Sequence, residues 1–255
     1  FLVFKSIPED NSTLPNNYLY FLQKDEYGHL WFGTNRGIGF LNPINFKITR
    51  INRELFPGIR GYVFTHMGFD ADGQIWALSD KYGINKIDLR TKEVEIIKSI
   101  NENAGFTCMF IDKAKTAWVG TETGQIYYSA PPYQSFFEID QVQKSPSSIN
   151  QISQNGATSL LVSTKSGIFT IDEDKIMRPL GDNKILEYLD ITCAYRESDE
   201  NIWIGSNESG LFLLKQDSTG REKIFQYKTN PYNNSSIQDD HVSNIFEDNN
   251  GVFWI

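Results

Sequence analysis

The chain has 255 residues, of which 40% are hydrophobic and 14% aromatic, and its net charge is −8. Its apolar runs are only a few residues long, far short of the roughly 20 that a helix needs to cross a bilayer. No cluster of Lys and Arg stands out, which argues against a nucleic-acid-binding face, since such a face carries a basic stripe.

The first apolar, aromatic-rich run, Tyr18 to Leu22, predicts an inner strand. Asp25-Glu26-Tyr27-Gly28 predicts a turn, because Asp can accept its own downstream amides and Gly takes the positive φ that closes the hairpin. His29 to Thr34 follows as a second strand and Asn35-Arg36-Gly37 as a second turn. Ile38 to Leu41 is a third strand, Asn42-Pro43 breaks it, and Phe46 to Ile51 is a fourth.

This unit returns along the chain. Its centre, Trp31, has counterparts at Trp76, Trp118, Leu161 (where Trp is replaced), Trp203 and Trp254, spaced by 45, 42, 43, 42 and 51 residues. The acidic turn recurs as Asp70-Ala71-Asp72-Gly73 and Asp248-Asn249-Asn250-Gly251. It degrades to Asp112-Lys113-Ala114-Lys115, Asn155-Gly156-Ala157-Thr158 and Glu197-Ser198-Asp199-Glu200. A strand repeat of this length marks a β-propeller blade. The expected fold is therefore all-β: a single propeller fragment over residues 1–255, built from about six blades of four antiparallel strands.

Three columns of residues run through the repeats. Twelve before each anchor stand Leu19, Phe64, Phe106, Ile149, Ile191 and Val242, and nine before stand Leu22, Met67, Met109, Ile152, Ala194 and Ile245, all apolar. Eleven before stand Tyr20, Thr65, Thr107, Asn150, Thr192 and Ser243, all able to hydrogen-bond. An odd spacing between the apolar columns breaks the two-residue alternation of a strand and predicts a bulge. The polar column is the candidate ligand-contacting set, facing a central channel. Trp31, Trp76, Trp118, Trp203 and Trp254 are expected to fill the space between sheets. The small residues that follow, Gly33, Gly120 and Gly205 among them, let a neighbouring blade approach. Truncating a fully buried Trp of this kind to Ala costs about 3–5 kcal/mol.

Catalytic signals are weak. His29, His66 and His241 occupy different places in their repeats with no metal-ligand spacing, and no phosphate-binding loop or nucleophile elbow is present. The repeated Asp residues invite a carboxylate-pair reading, yet each sits in a turn that explains it. Sialidase boxes place Asp two before Gly, whereas here it stands three before. Arg36, Arg50, Arg53 and Arg60 form no evident triad. Cys108 and Cys193 each stand ten before a Trp, as equivalents two blades apart, and are read as buried thiols rather than a disulfide. Tyr82, Tyr127, Tyr128, Tyr133 and Tyr232 are candidates to stack on sugar rings or to pack between blades. Asn11-Ser12-Thr13, Asn207-Glu208-Ser209 and Asn234-Ser235-Ser236 match the glycosylation pattern. Leu2 to Trp31 aligns without a gap onto Phe225 to Trp254. The chain is thus expected to open on an outer strand of a preceding blade and to stop in mid-strand at Trp254-Ile255, as a piece of a longer protein.

The phrase Asp-x-x-Gly-x-Leu-Trp-Phe-Gly-Thr-x-x-Gly-Ile over residues 25–38, preceded by Asn-Ser-Thr-Leu-Pro-Asn-Asn over 11–17, resembles the two-component regulator propeller repeat. The resemblance implies the periplasmic sensor of a hybrid two-component system in a glycan-degrading bacterium, with a seven-bladed parent ring. It implies a following β-domain, membrane helix, histidine kinase, receiver and DNA-binding module. For this chain it implies a non-catalytic sensor that binds an oligosaccharide or a partner propeller, needs no cofactor or metal, and meets the membrane only through the parent. Its expected partners are the adjacent propeller and β-domain of that parent, or a second copy in a homodimer; nucleic acid is not among them. The alternatives are a propeller-fold glycosidase or lyase, or a scaffold that only binds proteins.

Overall fold

The computed structural model describes residues 2–98, 100, 105–141, 147–181, 184–197, 201–216, 219, 221–248 and 250–255. Among them there are strands and turns and no helix. The chain divides into two compact units, residues 1–117 with 129–134, and residues 118–128 with 135–255.

In the first unit, β1 (Leu19–Lys24), β2 (Leu30–Thr34), β3 (Gly37–Leu41) and β4 (Ile48–Ile51) form one antiparallel sheet in chain order. A second comprises β5 (Phe64–Phe69), β6 (Ile75–Ser79), β7 (Gly83–Ile87) and β8 (Val94–Ile97). The division between the units falls in the third sheet, made of β9 (Phe106–Ile111), β10 (Ala117–Thr121), β11 (Ile126–Ser129) and β12 (Phe137–Glu138). In the second unit, β13 (Asp140–Gln141) pairs in parallel with the outer strand of the fourth sheet. That sheet consists of β14 (Ile149–Asn155), β15 (Ser159–Thr164), β16 (Gly167–Ile171) and β17 (Ile176–Pro179). The fifth has β18 (Ile191–Arg196), β19 (Asn201–Ser206), β20 (Leu211–Gln216) and β21 (Glu222–Tyr227). A final pair joins β22 (Phe246–Glu247) to β23 (Phe253–Trp254). The four strands expected in the first repeat are present, displaced by one or two residues at their ends.

The predicted bulge is present at the polar column. Register slips between Leu19 and Phe21, Phe64 and His66, Ile149 and Gln151, and Ile191 and Cys193. The skipped residues are Tyr20, Thr65, Asn150 and Thr192. The extra residue restores to one face two side chains that strict alternation would send to opposite faces. Phe64 and Met67 accordingly enter the same core, with Trp31, Ile38, Ile51 and Ile75. In the second unit Ile191 and Ala194 likewise share a core with Leu161, Ile204 and Phe212.

One expectation is corrected. Residues 2–7 form no strand, although Phe225, the counterpart of Leu2, lies in β21. An outer strand needs a ladder partner. β21 has one in β20, where Leu213 faces Phe225, and no described strand offers one to residues 2–7. The segment is held through side chains instead. Phe4 packs 6.1 Å from Phe46, and the Ser6 and Ile7 amides donate to Asn17 Oδ1 at 2.7 Å and Thr13 Oγ1 at 3.0 Å. Ser198, Asp199 and Glu200 of the fifth predicted turn, and Asn249 of the sixth, lie outside the described residues.

Candidate functional site

The polar column divides by role. Asn150 Nδ2 donates to Asp190 Oδ1 at 2.9 Å and to the Ile191 carbonyl at 2.8 Å, and Thr192 Oγ1 donates to the Val242 carbonyl. Each thus ties the bulge of its inner strand to the next repeat, at the carbonyl just before that repeat's own polar residue. Ser153 Oγ adds a bond to the Ala194 carbonyl at 2.9 Å, and the Ala194 amide donates to Gln151 Oε1 at 2.8 Å. Thr65 Oγ1 lies 3.1 Å from His66 Nδ1. Tyr20 is exposed and meets Tyr18 edge-on at 5.0 Å. Thr107 Oγ1 is buried without a hydrogen-bond partner, and Ser243 is exposed in a segment with no strand.

The structural positions follow packing. Trp31, Trp76 and Trp118 are buried, Trp203 is half-buried and Trp254 is 62% exposed. A Cβ at Gly33 would collide with the Phe21 ring and the Phe64 carbonyl. One at Gly205 would lie 2.6 Å from Cys193 Sγ and 2.7 Å from Val242 Cγ1. Gly120 is buried in β10. Cys108 and Cys193 are free and buried, and burial pushes the Cys193 thiol up to about 11. Burial also pushes His66 down to about 4. Among the described residues no group of three or more His, Cys, Asp or Glu could hold a metal.

The acidic turns do more than close hairpins. Asp25 Oδ1 accepts the Tyr27 and His29 amides at 2.9 and 2.8 Å. Its Oδ2 accepts the Trp31 indole N–H at 2.9 Å and lies 2.9 Å from His29 Nδ1. Asp70 repeats the pattern, with Asp72 and Gln74 amides on Oδ1 and the Trp76 indole on Oδ2 at 3.0 Å. The same indole link joins Trp203 to Glu197 at 2.9 Å and Trp254 to Asp248 at 3.2 Å. For Asp25, burial opposes ionisation. The bonds from Trp31 and His29 outweigh it and hold the carboxyl below the usual range.

Around the first of these turns lies a cleft of ≈ 530 Å³, within the range of small-molecule sites. Trp31 lies 4.8 Å from Phe40 and 5.9 Å from Phe69. His29 lies 5.0 Å from Phe40, and the exposed Tyr27 stands at the rim. Ala71, Gly73, Leu89, Ile111 and Lys115 complete the walls, with Lys115 Nζ donating to the Phe69 carbonyl at 3.2 Å. Of the carboxylates that line it, Asp25 and Asp70 are engaged by their own turns, while Glu26 stands beside Tyr27 at the rim. His29 in its wall has Nδ1 on Asp25 and, among the described residues, no partner at Nε2. Sequence reasoning found the turn and the Trp separately but missed this cleft, whose walls come from three repeats.

Of the five tyrosines singled out, Tyr127 is buried and Tyr128 packs 5.4 Å from Trp118. Tyr133 packs 5.3 Å from Trp76, and Tyr82 and Tyr232 are exposed.

Comparison with known proteins agrees with this architecture. Residues 13–36 match the family model described as Two component regulator propeller. No curated protein sequence matches the chain. Among solved structures, PorZ of the type-IX secretion system of Porphyromonas gingivalis is 15% identical at a TM-score of 0.70, covering 92% of this chain and 36% of that one. The extracellular domain assigned to a hybrid two component system from B. thetaiotaomicron is 14% identical at a TM-score of 0.64, with 99% and 38% covered. Virginiamycin B lyase from Staphylococcus aureus is 14% identical at 0.65, with 86% and 73% covered. The chain thus spans well under half the length of the first two. At such identities the likeness shows the fold, which is a β-propeller of four-stranded antiparallel sheets. Residues 13–36 carry a two-component regulator propeller repeat within it.

Proposed function

We propose that this chain is the non-catalytic recognition module of an extracytoplasmic sensor, part of a seven-bladed parent ring. It binds an oligosaccharide or a partner propeller and passes that occupancy to a histidine kinase elsewhere in the parent. The observation that carries the reading is the cleft at Trp31, where aromatic rings are presented while the Asp25 and Asp70 carboxylates are occupied by amides and indole N–H groups. The matched repeat and the likeness to an extracellular domain of a hybrid two component system support the sensor setting and a periplasmic location. A sensor needs only different affinities in its two states, not turnover.

A second reading, a propeller-fold lyase or glycosidase, draws on the Asp25–His29 pair, in which the carboxylate orients an imidazole whose Nε2 is an unengaged acceptor. Incubating the purified chain with an oligosaccharide panel separates the two. The sensor reading expects a raised melting temperature and no product. Product formation that disappears in His29→Asn would overturn it in favour of the enzyme.

A further inference from the structure

The second sheet contains a filled version of the cleft that is open at the first. Tyr133 packs on Trp76, its hydroxyl accepts the Ala71 amide at 2.9 Å, and it donates to the Lys115 carbonyl at 2.7 Å. Ala71 stands five before Trp76, and Lys115 three before Trp118. The same two positions at the first sheet are Glu26, five before Trp31, and Gly73, three before Trp76. Both line the open cleft, and among the described residues neither the Glu26 N–H nor the Gly73 carbonyl has a protein partner.

The backbones at the two places correspond. In each turn the Asp amide donates four residues ahead, Asp25 to His29 at 3.0 Å and Asp70 to Gln74 at 3.1 Å. The glycine amide donates back to the Asp carbonyl at 3.1 and 3.3 Å. Asp112 and Lys115 repeat the geometry, at 3.0 Å for the Asp amide and 2.9 Å for the return bond. The seat differs in what fills it. Tyr133 is delivered by a loop, residues 129–136, whose closing strand pair is Tyr128 with Phe137. The loop of the second sheet, residues 88–93, closes on Ile87 with Val94, is two residues shorter, and supplies Leu89 to the cleft wall.

We propose that the cleft at Trp31 is a receptor for a phenol group supplied from outside the seat. The ring lies against Phe40 and Phe69, and the hydroxyl accepts the Glu26 N–H and donates to the Gly73 carbonyl. The ligand chemistry is a para-substituted hydroxyaryl, carried either by a free aromatic compound or by a tyrosine side chain of a polypeptide. The proposal rests on the cleft being a binding site and not on signalling.

The test is titration of the 15N-labelled chain with p-cresol, with toluene as the analogue that lacks the hydroxyl. Saturable shifts of the Glu26 and Gly73 amide resonances are expected, with p-cresol binding about tenfold tighter than toluene, the difference that an ordinary hydrogen-bonded hydroxyl makes. Glu26→Pro removes the donor at a turn position that accepts proline and is expected to bring p-cresol towards toluene. Leu89→Trp fills the cleft and is expected to abolish both. N-acetyl-tyrosinamide separates the sources, since tighter binding than p-cresol indicates a polypeptide tyrosine and weaker binding a free phenol. No saturable binding, equal affinity for toluene, or a preference that survives Glu26→Pro overturns the proposal. A melting-temperature shift with an oligosaccharide would still leave the sensor reading in place.

Discussion

Trp31, Trp76 and Trp254 are each held by a carboxylate that also closes a turn, so one acidic residue fixes both a hairpin and the plane of an indole. Where Trp becomes Leu161, the acid is gone too: Asn155 stands in its place and its Nδ2 donates to Ser159 Oγ at 2.9 Å. Trp76 is fully buried, and Trp76→Ala should cost about 3–5 kcal/mol in urea unfolding. Trp254 is mostly exposed, and the same change there should cost about 0.5 kcal/mol or less. Equal losses at both would refute the assignment of burial as the cause. His66 gives a separate signature. Its folded form stays neutral down to about pH 4, while the unfolded chain takes up a proton near pH 6.5. Between those values the unfolded state binds more protons, so stability falls as pH drops through that window. His66→Gln should remove this part of the slope, read as the urea midpoint at pH 7 and pH 5. The acids and tryptophans were visible in the sequence as separate columns. Their bond was not, because a six-residue side-chain link follows no local turn rule.

At the scale of the strand, the odd spacing of the apolar columns was readable because burial demands one face and only a bulge reconciles that with a gap of three. What could not be read was the destination of the polar residue between them. Asn150 and Thr192 bond to carbonyls about 40 and 50 residues away, and which carbonyl is exposed depends on the neighbouring bulge. Gly33 was read as a point of close approach, and its missing Cβ is where the Phe64 carbonyl sits. Gly33→Ala should destabilise by about 1–3 kcal/mol, as overpacking against backbone does. Tyr133→Phe should cost about 0.5–1.5 kcal/mol by freeing the Ala71 amide and the Lys115 carbonyl. A loss confined to Gly33→Ala would show that the phenol hydroxyl contributes nothing to the seat.

For the molecule as a whole, the repeated phrase carried most of the architecture, since each copy marks the same hairpin of a sheet. It failed at residues 2–7, where a strand-like sequence lacks a ladder partner, and it was silent on the cleft, whose walls come from three repeats. Acid should unfold the chain in two stages. After the His66 window, a second fall should begin below about pH 4. There the unfolded chain takes up protons at Asp25 and Asp248, which the folded chain holds below the usual carboxylate range. For Asp248 the cause is the Val252 and Asn250 amides, then the Trp254 indole. A urea midpoint that stays constant from pH 4 to pH 2.5 would contradict this.

The bulge also decides which changes in length the chain can absorb. Two added residues are accommodated in the loop that carries Tyr133, outside the ladder that Tyr128 and Phe137 close, whereas the inner strand holds a single extra residue by bulging. Excising Thr65 alone would leave Phe64 and Met67 two residues apart, on one face of a regular strand, and would remove only the bulge. A single-codon deletion at the bulge should therefore be borne better than one inside the regular ladder, where every following side chain would change faces, and divergence in such a protein is steered towards its bulges and outer connections.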